Sequence, residues 1–325
     1  MSTELSTRAN TGLSGQSKGL ILPALIADQG EQAARRFLEF FTANIRNRNT
    51  RAAYAQAVIQ FLSWCEERRL TLKTIDPITV ATYIESHPGA APTKKQHLAA
   101  IKMLFDWLVT GQVIPVNPAA SVRGPKHVVR KGKTHVLSTG DARTLLDSID
   151  TSSLVGLRDR ALIGVMVFSF ARIGAVLGMK VEDYYQNGKR WWLRLHEKRG
   201  KFHEVPAHHN AGAYLDAYIE AAGIGKDDKG PLFRSAVGKT DTLTDRPLRR
   251  NNALDMVKRR AKAAKLSKRV CNHTFRATGI TAYLEAGGTI EKAQAIAAHE
   301  SPKTTKLYDR TSDTISLDEI ERIAI

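Results

Sequence analysis

Cysteine is scarce. The chain has two, Cys65 and Cys271. Two distant thiols build neither a disulfide framework nor a metal-ligand cluster, and they fit a reducing compartment. Long apolar runs are missing as well. The longest, Ala161 to Ala171, lies between Arg160 and Arg172, well short of the roughly 20 residues that span a bilayer. No basic-then-apolar stretch opens the chain, so no secretory signal is expected. Walker loops, GxGxxG, HExxH and CxxC are absent, which leaves no recognisable site for a nucleoside triphosphate or zinc. Neither a cofactor nor a metal is expected.

Acidic residues are also few. Against 49 Lys and Arg stand 32 Asp and Glu, a formal charge of +17. Such a surplus calls for a polyanionic partner, nucleic acid first and an anionic membrane surface second. With 325 residues, 42% of them hydrophobic, the chain has the material for two ordinary cores.

Residues 1–28, rich in Ser, Thr and Gly with one short apolar patch from Leu20 to Ile26, are expected to form a flexible arm able to dock locally. Residues 29–120 show helical spacing. Phe37, Phe40, Phe41 and Ile45 mark one helix, and Tyr54, Val58, Phe61 and Leu62 a second starting near Asn49 or Thr50. Asp76-Pro77 opens a third, as an N-cap followed by an N1 proline. Pro92-Thr93 opens a fourth, which Gly111 ends. Basic residues cluster on the second helix (Arg46, Arg48, Arg51) and on the fourth (Lys94, Lys95, Lys102), where they are expected to face DNA. Residues 121–137 hold Arg123, Lys126, Arg130, Lys131 and Lys133 with no acid, as expected of a linker running along a phosphate backbone.

A second domain is expected over residues 138–325. It begins with two helices, the second strongly apolar and delivering Arg172 at its end. A three-stranded meander follows, with its first turn at Asn187-Gly188 and Trp192 turned inward. Lys198 and Lys201 fall in its second turn, where a lysine is ordinarily just a solvated charge. Between Arg246 and Arg269 lie ten basic residues and one acid, Asp255; Arg249, Arg250 and Arg259 are the DNA-contact candidates there.

His273 and Arg276, at i and i+3, share a helix face. His299 and Tyr308 follow. Singly, each has an ordinary structural explanation. Together they are what metal-free chemistry on a phosphodiester needs: a nucleophile, a proton acceptor, and guanidinium donors for the charge that builds on the non-bridging oxygens.

The combination resembles the tyrosine recombinases, the phage integrase family, over about residues 29–310. LRDRALIGVMVFSFARIGAVLGMKVED matches the box of the first catalytic arginine, Arg172. EKRGKFHEVPAH matches the strand-turn-strand of the catalytic lysine, Lys198, with Lys201 as its rival. HTFRATG gives His273 and Arg276, and AAHESPKTTKLYDR gives His299 and the nucleophile Tyr308. The sequence departs from the pattern at Ser169-Phe170-Ala171, where Thr-Gly-Leu is usual before the arginine, at Ala175, where an acid is usual, at Ala277 in place of a His, and at Ala298 in place of a Gly.

The resemblance implies a mainly α fold with a small antiparallel β-sheet, arranged as a two-domain C-shaped clamp. A four-helix core-binding domain would precede an α+β catalytic domain. It implies site-specific cutting and rejoining of double-stranded DNA through a 3′-phosphotyrosyl intermediate, without metal or ATP. Arg172 and Arg276 would hold the phosphate, His273 assist proton transfer, Lys198 protonate the leaving oxygen and His299 hydrogen-bond the phosphate. A tetramer on DNA, with residues 315–325 docking on a neighbour, and accessory DNA-bending proteins are further expectations, as is a place in the cytoplasm at the nucleoid. A type IB topoisomerase, or a non-catalytic DNA-binding factor of the same fold, would share many of these features.

Overall fold

The computed structural model describes residues 22–128, 132–197, 202–309 and 321. Lys198, Lys201, Arg130, Lys131 and most of the 315–325 tail lie outside the described residues. The chain forms two compact units, one up to Val128 and one from Val129.

The first unit is helical: α1 (Ala24–Ala27), α2 (Glu31–Glu39) running into a π-helical turn (Phe40–Asn44), α3 (Arg48–Glu67), α4 (Pro77–Ser86) and α5 (Ala91–Thr110). The last four helices are those read from the apolar spacing. Their starts follow capping chemistry. Asn47 Oδ1 accepts from the backbone N–H of Asn49 and Thr50, two residues earlier than the expected start of α3. Asp76 Oδ1 accepts from Thr79 N at 2.7 Å, with Pro77 at N1 of α4. The core is aromatic, with Phe37, Phe40 and Phe41 packed edge to face and Phe61 set against Phe105.

The end of the expected arm is docked on this unit. Leu25 and Ile26 on α1 are buried in this core, and Glu66 accepts a hydrogen bond from Leu25 N. Burying two aliphatic side chains contributes about 3–5 kcal/mol, enough to hold a single turn that would not persist alone.

The second unit is built on α7 (Leu154–Phe168), preceded by α6 (Thr139–Asp147) and packed against α9 (His209–Ala222) and α11 (Asn272–Glu285). The one-turn α8 (Ile173–Val176) leads into an antiparallel sheet of β1 (Tyr184–Asn187), β2 (Arg190–His196) and β3 (Phe202–Pro206). A second hairpin, β4 (Arg234–Ala236) with β5 (Leu243–Pro247), precedes α10 (Arg250–Ala263). Then come α11, α12 (Ile290–Ile296) and α13 (Pro302–Lys306).

The sheet corrects two expectations. Asn187 pairs with Arg190, so the turn is Gly188-Lys189, with Gly188 in the left-handed region at φ 61°. Moving both turn residues by one slides the β1–β2 pairing by two positions, which leaves each β2 side chain on its face, so the inward face is set by packing and not by the turn. Leu193 and Leu195 point into the core, and Trp192 lies on the opposite face, half-buried.

A buried ion network joins α7 to α10. Asp159, fully buried, accepts from Arg158 and, through its other oxygen, from Arg260 at 2.8 Å. Arg260 therefore sits in the basic stretch for a structural reason. A carboxylate left alone at this depth would cost several kcal/mol.

Candidate active site

α7 does not carry Arg172. It ends at Phe168, and Phe170 then takes a left-handed conformation at φ 54°. Arg172 comes after this bend, as the N-cap residue of α8. A bulky side chain in that region costs about 1–2 kcal/mol. Two features offset it: the ring is buried with Ile280 and Tyr308, and the Phe170 carbonyl is turned onto the guanidinium of Arg276. The apolar spacing gives no sign of this bend; the one mark of it is that Phe170 stands where the family pattern usually has Gly.

Arg276 is 1% exposed. Its Nη1 donates to the Phe170 carbonyl, and its Nη2 to the Ala297 carbonyl at 2.6 Å. The side chain thus ties the segment after α7 to the end of α12. Gly279, one turn further along α11, allows the close approach: a Cβ there would collide with the Val167 carbonyl of α7.

Tyr308 follows α13 and is buried with Phe170 and Ile280. Thr281 Oγ1 donates to its carbonyl at 3.0 Å. The phenol oxygen lies 2.8 Å from His273 Nε2 in the first turn of α11. The His299 ring stacks on the phenol at 5.8 Å, nearly parallel, and its Nδ1 is 2.9 Å from Thr305 Oγ1. Arg172 Nη1 donates to Glu197 Oε2 at 2.7 Å. The fold therefore gathers His273, Arg276, His299 and Tyr308 directly, with Arg172 close enough to act on them electrostatically.

Electrostatics separate the groups into donors and acceptors. Burial raises the Tyr308 phenol above its ordinary value although Arg276 and Arg172 oppose it, so the resting group keeps its proton. Burial, then Arg276, Arg172 and Arg250, lowers His273. Burial, then Arg276, Arg172 and His273, lowers His299 to about 3. Arg276 itself is brought down to about 10 by burial and then Arg172, and remains cationic at neutral pH. A protonated phenol thus faces a neutral imidazole 2.8 Å away, the starting arrangement for general-base activation of a nucleophile.

The DNA-contact candidates divide. Arg46, Arg48, Lys95, Arg123, Lys126, Lys133, Arg249, Arg250 and Arg259 are exposed. Three others are engaged within their own unit. Arg51 donates twice to the Ile45 carbonyl, Lys94 Nζ to Glu85 O at 2.7 Å, and Lys102 Nζ to Ala120 O at 3.0 Å. Those three close helix ends and loops, a use that charge counting could not reveal.

Residues 135–314 match the sequence pattern described as the Phage integrase family. That span is more than half of the chain. The chain belongs to the phage integrase family. Among curated relatives, a tyrosine recombinase XerC of Leptospira interrogans is 24% identical over 293 residues, covering 88% of this chain and 91% of that protein. Among solved structures, a XerH site-specific recombinase bound to its difH substrate in a pre-cleavage complex matches with TM-score 0.66 and 17% identity, over 92% of this chain and 95% of that one. A lambda integrase tetramer bound to a Holliday junction matches with TM-score 0.63 and 18% identity, over 87% and 78%. At these identities the structural matches establish the shared fold.

As a tyrosine recombinase, the chain shows at two departures how its own residues compensate. At 175, where the family pattern leads one to expect an acid, it has Ala, and the carboxylate on Arg172 comes from Glu197. The missing acid is visible in the sequence but its replacement is not, although Glu197 directly precedes Lys198. At 298 Ala replaces Gly while keeping a left-handed backbone, φ 48°. Ala298→Gly is therefore expected to stabilise the protein by about 1 kcal/mol, raising Tm by about 2–4 °C in a thermal melt. An unchanged or lowered Tm would mean that the residue is not strained.

The lowered histidines give a pH dependence with a definite sign. The native state favours neutral His299, so below the ordinary value of 6.5 the unfolded chain binds more protons. Stability from this group is full above pH 6.5 and drains away as pH falls towards about 3. His97, His208 and His273 are lowered by burial too and act in the same direction. Urea midpoints are expected to drop steadily from pH 7 to pH 5, and His299→Gln to flatten that drop. A midpoint independent of pH would contradict the buried, neutral rings. Among the described residues, no helix is long and apolar enough to cross a membrane.

Proposed function

We propose that this tyrosine recombinase cuts and rejoins specific sites in double-stranded DNA, with Tyr308 as nucleophile. The observation that carries the reading is the Tyr308 hydroxyl 2.8 Å from His273 Nε2, beside the buried Arg276. The phenolic oxygen attacks the scissile phosphorus, forming the Tyr308 O–P bond, while its proton passes to His273. The P–O5′ bond breaks, and the leaving 5′-oxygen takes a proton from Lys198. Arg172 and Arg276 donate to the non-bridging oxygens as charge builds on them. His299 Nδ1 lies 2.9 Å from Thr305 Oγ1, and we assign the hydroxyl as donor there, which leaves the ring proton on Nε2 for the same phosphate. Attack by the 5′-hydroxyl of a partner strand then reverses these steps and reseals the backbone. The bond energy is held in the phosphotyrosine, so no external energy source is required.

Exposed basic residues on both units supply the non-specific phosphate contacts. The XerH and lambda integrase matches are DNA complexes, the second a tetramer, and they support DNA as substrate and assembly on it. The 315–325 tail is the segment we propose for protomer docking.

The test is incubation with a nicked suicide duplex cut from the DNA flanking the gene, in EDTA. A covalent protein–DNA adduct that survives denaturant, maps to the peptide holding Tyr308 and leaves a free 5′-hydroxyl is expected. An adduct at another residue, or a 5′-linked one, would overturn the assignment. Relaxation of plasmids that lack any target site would instead indicate a topoisomerase.

A further inference from the structure

Arg172 stands in a field of positive charge. Arg276 and Arg250 act on the same site, and the two histidines beside them are held neutral. A half-exposed guanidinium so placed is pushed away from the other arginine by repulsion, yet it must approach the same phosphate. The carboxylate the structure sets on it is Glu197, with Oε2 2.7 Å from Nη1. Only 10% of the Glu197 side chain is exposed, against 37% for Arg172. Glu197 directly follows β2, whose last residue, His196, is registered against Phe202 of β3. The carboxylate is therefore mounted on a hydrogen-bonded sheet. Arg172, by contrast, follows the bend at Phe170 and caps a single helical turn.

We propose that Glu197 is the positioning residue of Arg172. Its carboxylate occupies one guanidinium donor and offsets the repulsion from Arg276. The remaining donors are left aimed at the scissile phosphate. The carboxylate comes from the sheet because α8 carries Ala at 175 and offers no acid of its own there. Glu197 does not touch the reacting atoms; it acts through Arg172. The inference rests on the reading that Arg172 holds the phosphate.

The experiment is single-turnover cleavage of the nicked suicide duplex at saturating DNA. It compares wild type, Arg172→Ala, Glu197→Ala, Glu197→Gln and the Arg172→Ala/Glu197→Ala double variant, each with its DNA affinity and melting temperature. Glu197→Ala is expected to slow cleavage on the order of 10²-fold, as for a misplaced reacting group, with affinity unchanged within about threefold. Glu197→Gln, which keeps the shape and an acceptor oxygen, should recover part of the rate, and it serves as the probe if the Ala variant does not fold. In the Arg172→Ala background the Glu197 change should cost less than about threefold, because the two residues act as one unit. Glu197→Ala cleaving within about twofold of wild type, or faster, would overturn the proposal; a faster rate would mean that the carboxylate competes with phosphate for Arg172. So would a full loss repeated in the double variant. If Arg172→Ala alone cleaves normally, the phosphate-holding role of Arg172 fails instead.

Discussion

Tyr308→Phe is expected to bind DNA as tightly as the wild type and to form no covalent adduct. The rate of strand cleavage should fall on the order of 10⁴-fold or more, as for loss of a nucleophile. Phenylalanine keeps the ring that packs with Phe170 and Ile280 and stacks on His299. What disappears is the hydroxyl and its hydrogen bond to His273. Leaving one ring nitrogen unpaired costs about 1 kcal/mol, and removing a buried polar oxygen offsets part of that, so the fold should survive. A gel-shift titration would check binding, and a denaturing gel on the nicked duplex would check the adduct. An adduct of ordinary yield would move the nucleophile to another residue and sink the mechanism.

Much of this site is legible in the amino-acid sequence. Asp76-Pro77 marks the start of α4 correctly because a cap and an N1 proline act locally. The spacing of His273 and Arg276 places them on one helix face, and α11 carries both. Other features depend on parts of the chain that are distant in sequence. Phe170 turns left-handed because Arg276, over a hundred residues later, takes its carbonyl. Glu197 meets Arg172 across the packing of α8 on β2. The β2 face is not legible, because the tryptophans on neighbouring positions, Trp191 and Trp192, give no clear alternation, and the burial of Leu193 and Leu195 decides it. Lysines that bond to carbonyls look the same in sequence as lysines free for DNA.

Substitutions at Arg276 separate charge from geometry. The guanidinium bridges two carbonyls, Phe170 and Ala297, that belong to different segments. A lysine keeps the charge but has one nitrogen, so it cannot hold both carbonyls and still reach a phosphate. Arg276→Lys is therefore expected to lose about 1–3 kcal/mol of stability from the abandoned carbonyl, and to lower cleavage at saturating DNA about 10²–10³-fold. Arg276→Ala should lose at least as much rate, and it should also change the pH dependence. After burial itself, Arg276 is the main influence holding both His273 and His299 below their ordinary value. Without its charge, both rings protonate at higher pH. Protonated His273 cannot accept the Tyr308 proton, so the acid limb of the pH–rate profile moves upward in Arg276→Ala but stays in place in Arg276→Lys. Equal profiles for the two variants would show that burial alone sets the histidines. A Lys variant cleaving at the wild-type rate would show that the point charge suffices and that the two-carbonyl clamp plays no part in catalysis.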